Sequence, residues 1–131
     1  MIKLNILLYY INITNKTKNM ITEEFTSNMI TYTLRIGTNK TENWMLLDAS
    51  DDSHVWFHVS DAPSGYVVLQ TDLCIKDIPK NVIRRCAYLC KIRSSSKNIK
   101  KCGVVYTYIR NVSKGEHTGE VTVSSCKTVN V

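Results

Sequence analysis

The sequence is poor in residues that interrupt a fold. Its 131 residues include two prolines and five glycines, with no internal repeat and no long linker. A chain of this length with 44% apolar and 21% charged residues is expected to form one domain with a core. The apolar stretch at residues 2–13 is too short to span a membrane, so no membrane partner is expected. We predict that residues 1–19 are an N-terminal extension outside the fold and that the domain comprises residues 20–131.

Cysteine and histidine patterns typical of disulfide frameworks or metal sites are also missing. An odd, scattered set of cysteines without a C-x-x-C pair indicates reduced thiols in an intracellular, cytoplasmic protein. His54 and His58 would lie about 13 Å apart along a strand, too far to share one ion. We therefore expect neither a metal ion nor a cofactor. The five cysteines are Cys74, Cys86, Cys90, Cys102 and Cys126.

Signatures of catalysis are absent from the sequence. It contains no G-x-S-x-G, G-x-x-x-x-G-K or H-E-x-x-H pattern. Acidic residues are few, 11 against 17 lysines and arginines. A metal-dependent nuclease normally needs a cluster of carboxylates, and no such cluster is visible. The sequence therefore predicts a protein that is not an enzyme.

Positive charge is concentrated in residues 76–101. The chain has a formal net charge of +6, whereas this segment holds nine basic residues and one acid, a net charge of +8. The rest of the chain is therefore close to neutral, which favours a local site for an anionic partner. The predicted nucleic-acid contacts in this segment are Lys80, Arg84, Arg85, Lys91, Arg93, Lys97, Lys100 and Lys101.

The same segment predicts an amphipathic helix from Asp77–Pro79 to about Arg93. On its surface Lys80, Arg84 and Lys91 would fall within about 40° of one another. Such a basic ridge can neutralise phosphates of RNA or DNA, although a basic helix face can equally be ordinary solvated surface. The opposite, apolar stripe consists of Ile78, Val82, Cys86 and Leu89.

The remaining segments predict mainly strands. Residues 31–37 alternate apolar and polar side chains, as in a half-buried strand. Residues 55–59 and 66–70 flank a Pro-Ser-Gly turn and predict a hairpin. Residues 103–109 are rich in valine and tyrosine, which favours a further strand. Two peripheral, antiparallel closing strands are expected at 120–124 and 127–131.

A short helix is predicted between the 31–37 strand and the hairpin, from Asn43 to Ala49. Asn43 would be its N-cap, with Trp44, Met45 and Leu47 facing inward. Strands around one main amphipathic helix and a short helix predict an α+β fold with a mostly antiparallel sheet in a single domain.

Trp56 and His58 lie two residues apart on a predicted strand and so face the same side. Val55, Phe57 and Val59 face the other side. If those three pack inward, Trp56 can stack on an unpaired base while His58 bonds a phosphate. In the alternative, a helix covers Trp56 and His58 is a structural residue. The residue types alone leave both interpretations open.

The run V-W-F-H-V at 55–59, followed by D-A-P-S-G-Y-V-V-L at 61–69, resembles the central signature of the NFACT-R family. That family is an RNA-binding domain found in ribosome-quality-control factors and in stand-alone small proteins. This chain is similar to the stand-alone, coiled-coil-domain-containing type. Further blocks in the family's order are Tyr32–Asn43, Asp77–Lys80, Val104–Thr107 and Val112–Gly115.

The resemblance implies an RNA-binding module associated with the ribosome or tRNA. It marks Trp56, His58, Pro63 and Tyr66 as motif residues, and Lys114 in the Val-Ser-Lys-Gly segment as a phosphate contact. Tyr66 stands where the family usually has a histidine after the turn, so a contact made by that histidine is not implied here. The alternative functions are a general DNA- or polyanion-binding domain and a protein-interaction adaptor.

Overall fold

An antiparallel sheet of six strands, two α-helices and a small two-stranded sheet make up residues 20–131, the part of the chain that the computed structural model describes. This arrangement confirms the α+β prediction. The proposed extension at 1–19 lies outside the described residues, so its boundary stays a prediction. The strands are β1 (Ile21–Ser27), β2 (Ile30–Ile36), β3 (Val55–Val59), β4 (Val67–Gln70), β5 (Gly103–Tyr108), β6 (Val112–Lys114), β7 (Val121–Val123) and β8 (Lys127–Asn130), and the helices are α1 (Lys40–Asp48) and α2 (Lys80–Ile92).

The main helix, α2, forms where the sequence predicts it. Pro79 precedes its first turn, where the missing N–H of proline costs nothing. The predicted stripe of Ile78, Val82, Cys86 and Leu89 is buried. It packs against one face of the sheet, in a cluster with Val55, Phe57 and Val59 of β3. Burial of this stripe fixes which side of α2 faces solvent.

The opposite face of the sheet carries a second core. Trp56 and Val68 project from β3 and β4 into a cluster with Leu46 and Leu47 of α1. Valines of the two-stranded β6–β7 ribbon pack against the same cluster. The central strands are therefore covered on both faces, which is why β3 and β4 consist mostly of apolar residues.

The predicted N-cap of the short helix was wrong. The cap is Asn39, whose Oδ1 accepts a hydrogen bond from the Glu42 N–H at 2.9 Å. Glu42 Oε1 in turn accepts from the Thr38 N–H at 3.0 Å, an arrangement close to a capping box. Asn43 lies inside the first turn and is buried. Its Oδ1 accepts a hydrogen bond from the Tyr66 N–H at 3.0 Å. Asn43 therefore joins α1 to the residue that precedes β4 instead of starting the helix.

The outer strands differ most from the prediction. The β1–β2 hairpin was missed, since its two-residue turn is Asn28-Met29, with φ of 51° and 64°, in place of an Asn-Gly pair. Of the two predicted closing strands, only β8 joins the six-stranded sheet, antiparallel to β5. β7 pairs with β6 in the separate ribbon. The strands predicted at 31–37, 55–59, 66–70 and 103–109 are confirmed as β2, β3, β4 and β5.

Candidate nucleic-acid interface

A groove of about 340 Å³ lies between the beginning of α2 and the β5–β8 edge of the sheet. Lys76, Lys80, Arg84 and Lys127 line it, and we call this site the basic groove. No ion pair among the described residues involves any of these four side chains. The charges are therefore available to an external anion. The rest of the lining is Ile75, Ile78, Ile83, Tyr106, Thr128 and Val129.

Three separate chain segments supply the cations of the basic groove. Lys80 and Arg84 lie on consecutive turns of α2 and are exposed because the apolar stripe is on the opposite side. Lys76 is in a 3-10 turn at Ile75–Asp77, which is held to β5 by the Ile75 N–H donating to the Tyr108 hydroxyl at 2.8 Å. Lys127 begins β8, opposite Tyr106. Lys76 and Lys127 were not among the predicted contacts.

Three of the predicted contact residues interact with groups inside the protein. Arg85 forms a two-pronged salt bridge with Glu23 of β1, with Nε 2.7 Å from Oε2 and Nη2 bonded to Oε1. The hydrogen bond from Arg85 lowers the pKa of the Glu23 carboxyl. Lys91 donates to the Val131 carbonyl at 3.0 Å. Lys114 lies 2.7 Å from the Asp48 carboxylate and is therefore less available to a phosphate.

The remaining predicted cations lie at the far end of α2. All four are exposed, and among the residues the structure describes none forms an ion pair. Ser94 closes the helix, with its hydroxyl donating to the Lys91 carbonyl at 2.8 Å, and the following loop turns back toward β5. This group, here called the basic loop, consists of Arg93, Lys97, Lys100 and Lys101.

Trp56 is buried, with 1% of its surface exposed. Its ring stacks on that of His58 at 5.7 Å and 5°, and the Tyr66 ring packs edge-on at 5.4 Å. The interpretation in which a helix covers Trp56 is therefore the one that the structure shows, and no base can stack on its face. Burial also raises the pKa of the Tyr66 hydroxyl to about 12, and this hydroxyl donates to the Gly119 carbonyl.

A second concave surface surrounds the turn between β3 and β4. It consists of two adjoining cavities of about 300 and 240 Å³ that share Lys40, Asn43, Pro63 and Ser64. We call it the turn trough. It brings together three motif residues, His58, Pro63 and Tyr66, with residues that the sequence did not single out. The first cavity is further lined by His58, Tyr66, His117, Thr118, Gly119 and Glu120, and the second by Thr38, Asn39, Gly65 and Arg93.

No metal site is visible in residues 20–131, and the cysteines there form no disulfide. That part of the chain contains no group of three histidine, cysteine or acidic side chains placed to hold a metal ion. Cys86 and Cys90 are buried in the core, where desolvation raises the pKa of both thiols. None of the described helices is long and apolar enough to cross a membrane.

An α+β domain in which cations without an ion pair among residues 20–131 gather at both ends of one helix is of a type suited to an anionic polymer. The family model described as the NFACT protein RNA binding domain matches residues 16–125. The chain belongs to this family, which confirms the resemblance seen in the sequence.

Two curated relatives support the assignment. Coiled-coil domain-containing protein 25 of Mus musculus is 38% identical over 96 residues, covering 69% of this chain and 46% of that protein. Protein JLP2 of Saccharomyces cerevisiae is 34% identical over 104 residues, covering 73% of this chain and 50% of that protein. This chain therefore spans about half the length of the curated relatives it matches.

A solved structure has the same fold. It is the C-terminal part of the fibronectin/fibrinogen-binding protein from Streptococcus suis, which matches with a TM-score of 0.73 and 24% identity. The match covers 84% of this chain and 45% of that one. At this identity, the likeness concerns the fold alone.

Proposed function

We propose that this chain is a non-enzymatic module that binds RNA of the translation machinery, ribosomal RNA or tRNA, through the basic groove and the basic loop. The observation that carries the proposal is the meeting of Lys76, Lys80, Arg84 and Lys127 in one groove without an acidic neighbour in its lining. The membership of this chain in an RNA-binding family supports RNA as the polymer. The resemblance to ribosome-quality-control factors favours a ribosomal or tRNA target.

The physical basis is the neutralisation of phosphates. Each phosphate contacted by a lysine or arginine releases condensed counterions, so affinity falls steeply with salt. The groove also offers apolar surface from Ile78, Ile83 and Tyr106 beside its charges. A mixed surface of this kind suits the sugars and exposed edges of an A-form or irregular RNA, which proteins recognise largely by shape.

The test is a fluorescence anisotropy titration of labelled tRNA, with a DNA duplex of matched length, at several salt concentrations. We expect tighter binding to tRNA and a salt slope that reports several phosphates. The double variant Lys80→Gln/Arg84→Gln should weaken tRNA binding and reduce the slope by about two. Its melting temperature should stay close to that of the wild type, because both side chains are exposed.

A matched control removes the same charge elsewhere. Arg110→Gln/Lys114→Gln also lowers the net charge by two, but Arg110 lies over the Tyr108 ring and Lys114 pairs with Asp48. This control should bind tRNA nearly as well as the wild type. Equal losses in both double variants would mean that only total charge matters. Equal affinity for tRNA and DNA would support a general polyanion-binding domain instead.

A further inference from the structure

The turn trough is a rigidly built surface. The β3–β4 turn rests on the end of β2, since the Gly37 N–H donates to the Tyr66 carbonyl at 2.9 Å. A Cβ on Gly65 would lie 2.1 Å from the Gly37 carbonyl oxygen, so only glycine allows this approach. The Ser64 hydroxyl accepts from the Val59 N–H at 3.1 Å and closes the turn. The trough is therefore preformed in the free protein.

The loop at residues 115–120 forms its other wall. The Trp44 Nε1–H of α1 donates to the Glu120 carbonyl at 3.1 Å. The Tyr66 hydroxyl donates to the Gly119 carbonyl. The Glu120 N–H donates to the His117 carbonyl at 2.9 Å, which folds the loop into a turn. These bonds hold His117 and Glu120 in the same cavity as His58.

The wall formed by His58 suits a base more than a phosphate. Its ring is stacked on Trp56 and packed edge-on by Tyr66 at 5.4 Å, so its orientation is fixed. Burial lowers the pKa of His58, partly offset by a hydrogen bond to the Val59 backbone, which leaves the imidazole neutral at neutral pH. The imidazole donates in its bond to Val59, so its other nitrogen is left to accept an N–H of a base.

The charged residues that line the turn trough differ between its two cavities. Glu120 lines the cavity with the two histidines, and its Oε1 accepts from the Glu116 N–H at 3.3 Å, so a negative charge held at this cavity disfavours a phosphate there. Arg93 lines the adjoining cavity, and Lys40 borders both. Arg93 is also part of the basic loop. A base is therefore favoured in the cavity with the two histidines and a phosphate in the adjoining cavity with Arg93, with Lys40 bordering both.

We propose that the turn trough holds a single unpaired RNA nucleotide, with its base between His58 and His117 and its phosphate at Lys40 and Arg93. The inference rests on the proposed function, since the RNA bound along the basic loop supplies the nucleotide. The volume of the first cavity lies at the lower end of the range for small-molecule pockets, about 300–1,000 Å³. An unpaired base offers the hydrogen-bonding edges that a duplex hides.

A direct test uses the three histidines of the chain, His54, His58 and His117. Adenosine monophosphate is titrated to millimolar concentration while the imidazole proton resonances are followed by NMR. We expect the His58 and His117 resonances to shift and that of His54, which is paired with Asp51 away from the trough, to stay in place. Equal shifts with inorganic phosphate, or no shifts of His58 and His117, would overturn the inference.

A second test separates this inference from the proposed function. Two RNA hairpins are compared, one blunt and one with a short single-stranded 3′ overhang. The overhang should tighten wild-type binding at least about fivefold, as expected for one held base. The variant Lys40→Gln/His117→Ala should lose this gain and bind the blunt hairpin like the wild type. The control Lys101→Gln, in the basic loop, should keep the gain.

The outcomes are distinguishable. If the wild type binds both hairpins equally well, the turn trough holds no nucleotide and the proposed function stands. If it binds neither hairpin, the proposed function is overturned, and with it the RNA origin of the nucleotide. If the variant loses affinity for both hairpins to the same degree, the trough contributes only general charge and the inference fails.

Discussion

Arg84 and Arg85 are neighbours in sequence and provide a sharp test of the interface. Arg84 is exposed in the lining of the basic groove. Arg85 is held by Glu23 in a two-pronged salt bridge, with 34% and 28% of the two side chains exposed. The two substitutions Arg84→Gln and Arg85→Gln remove the same charge from adjacent positions. Only the first removes a cation that is free to meet a phosphate.

The expected effects are opposite. Arg84→Gln should reduce the salt slope of RNA binding by about one and leave the free energy of unfolding unchanged. Arg85→Gln should keep affinity and slope near those of the wild type. It should lower the free energy of unfolding by about 0.5–1 kcal/mol, a small amount because the pair is partly exposed and screened. Anisotropy at four salt concentrations and urea unfolding measure the two quantities.

The result that would refute this reasoning is an equal loss of affinity in the two variants. It would mean that Arg85 leaves Glu23 to contact RNA, or that the protein responds only to its total charge. A stability loss in Arg84→Gln as large as that in Arg85→Gln would also contradict the structure. Glu23→Gln provides a further control, because it breaks the salt bridge while leaving Arg85 charged.

Two further predictions concern the core beneath the turn trough. Trp56→Ala should lower the free energy of unfolding by about 3–5 kcal/mol in urea titrations. The folded fraction of this variant should bind the blunt RNA hairpin as the wild type does. Lost affinity at unchanged stability would contradict the burial of Trp56. Stability should fall as the pH rises from 10.0 toward about 12, because a tyrosine at position 66 of the unfolded chain loses its proton while buried Tyr66 keeps it. Tyr66→Phe should reduce this loss of stability at alkaline pH. An identical pH dependence of the free energy of unfolding in the two proteins would contradict the prediction.

The interior of the fold was predictable because its sequence patterns are strong. The apolar stripe of α2 has helical spacing, and β2 alternates with period two. Both periods follow directly from backbone geometry. The prediction failed where a polar residue had more than one plausible role. Asn39 and Asn43 are both good N-caps, and only the position of Tyr66 in the folded chain shows that Asn43 is needed elsewhere.

The site was only partly predictable, because charge pattern and topology contribute separately. Lys80 and Arg84 follow from helical periodicity, whereas Lys127 reaches the same groove only because β8 pairs with β5. Nothing in the sequence around Arg85 distinguishes it from Arg84 as a predicted contact. The pairing of Arg85 with Glu23 depends on the β1–β2 hairpin, and the turn of that hairpin contains no glycine from which it could be predicted. Long-range pairing of this kind leaves no local signal.

The motif residues and the basic residues have different roles in the structure. Trp56 and Tyr66 are buried beneath the β3–β4 turn, where they orient His58 and hold the 115–120 loop. Trp56 therefore affects a ligand only indirectly, through the position of His58, whereas Tyr66 also lines the first cavity of the turn trough. The cations at both ends of α2 face solvent because the apolar stripe binds the helix to the sheet. In the proposed complex, the motif residues form the surface that contacts an unpaired base, and the cations of α2 hold the RNA near that surface.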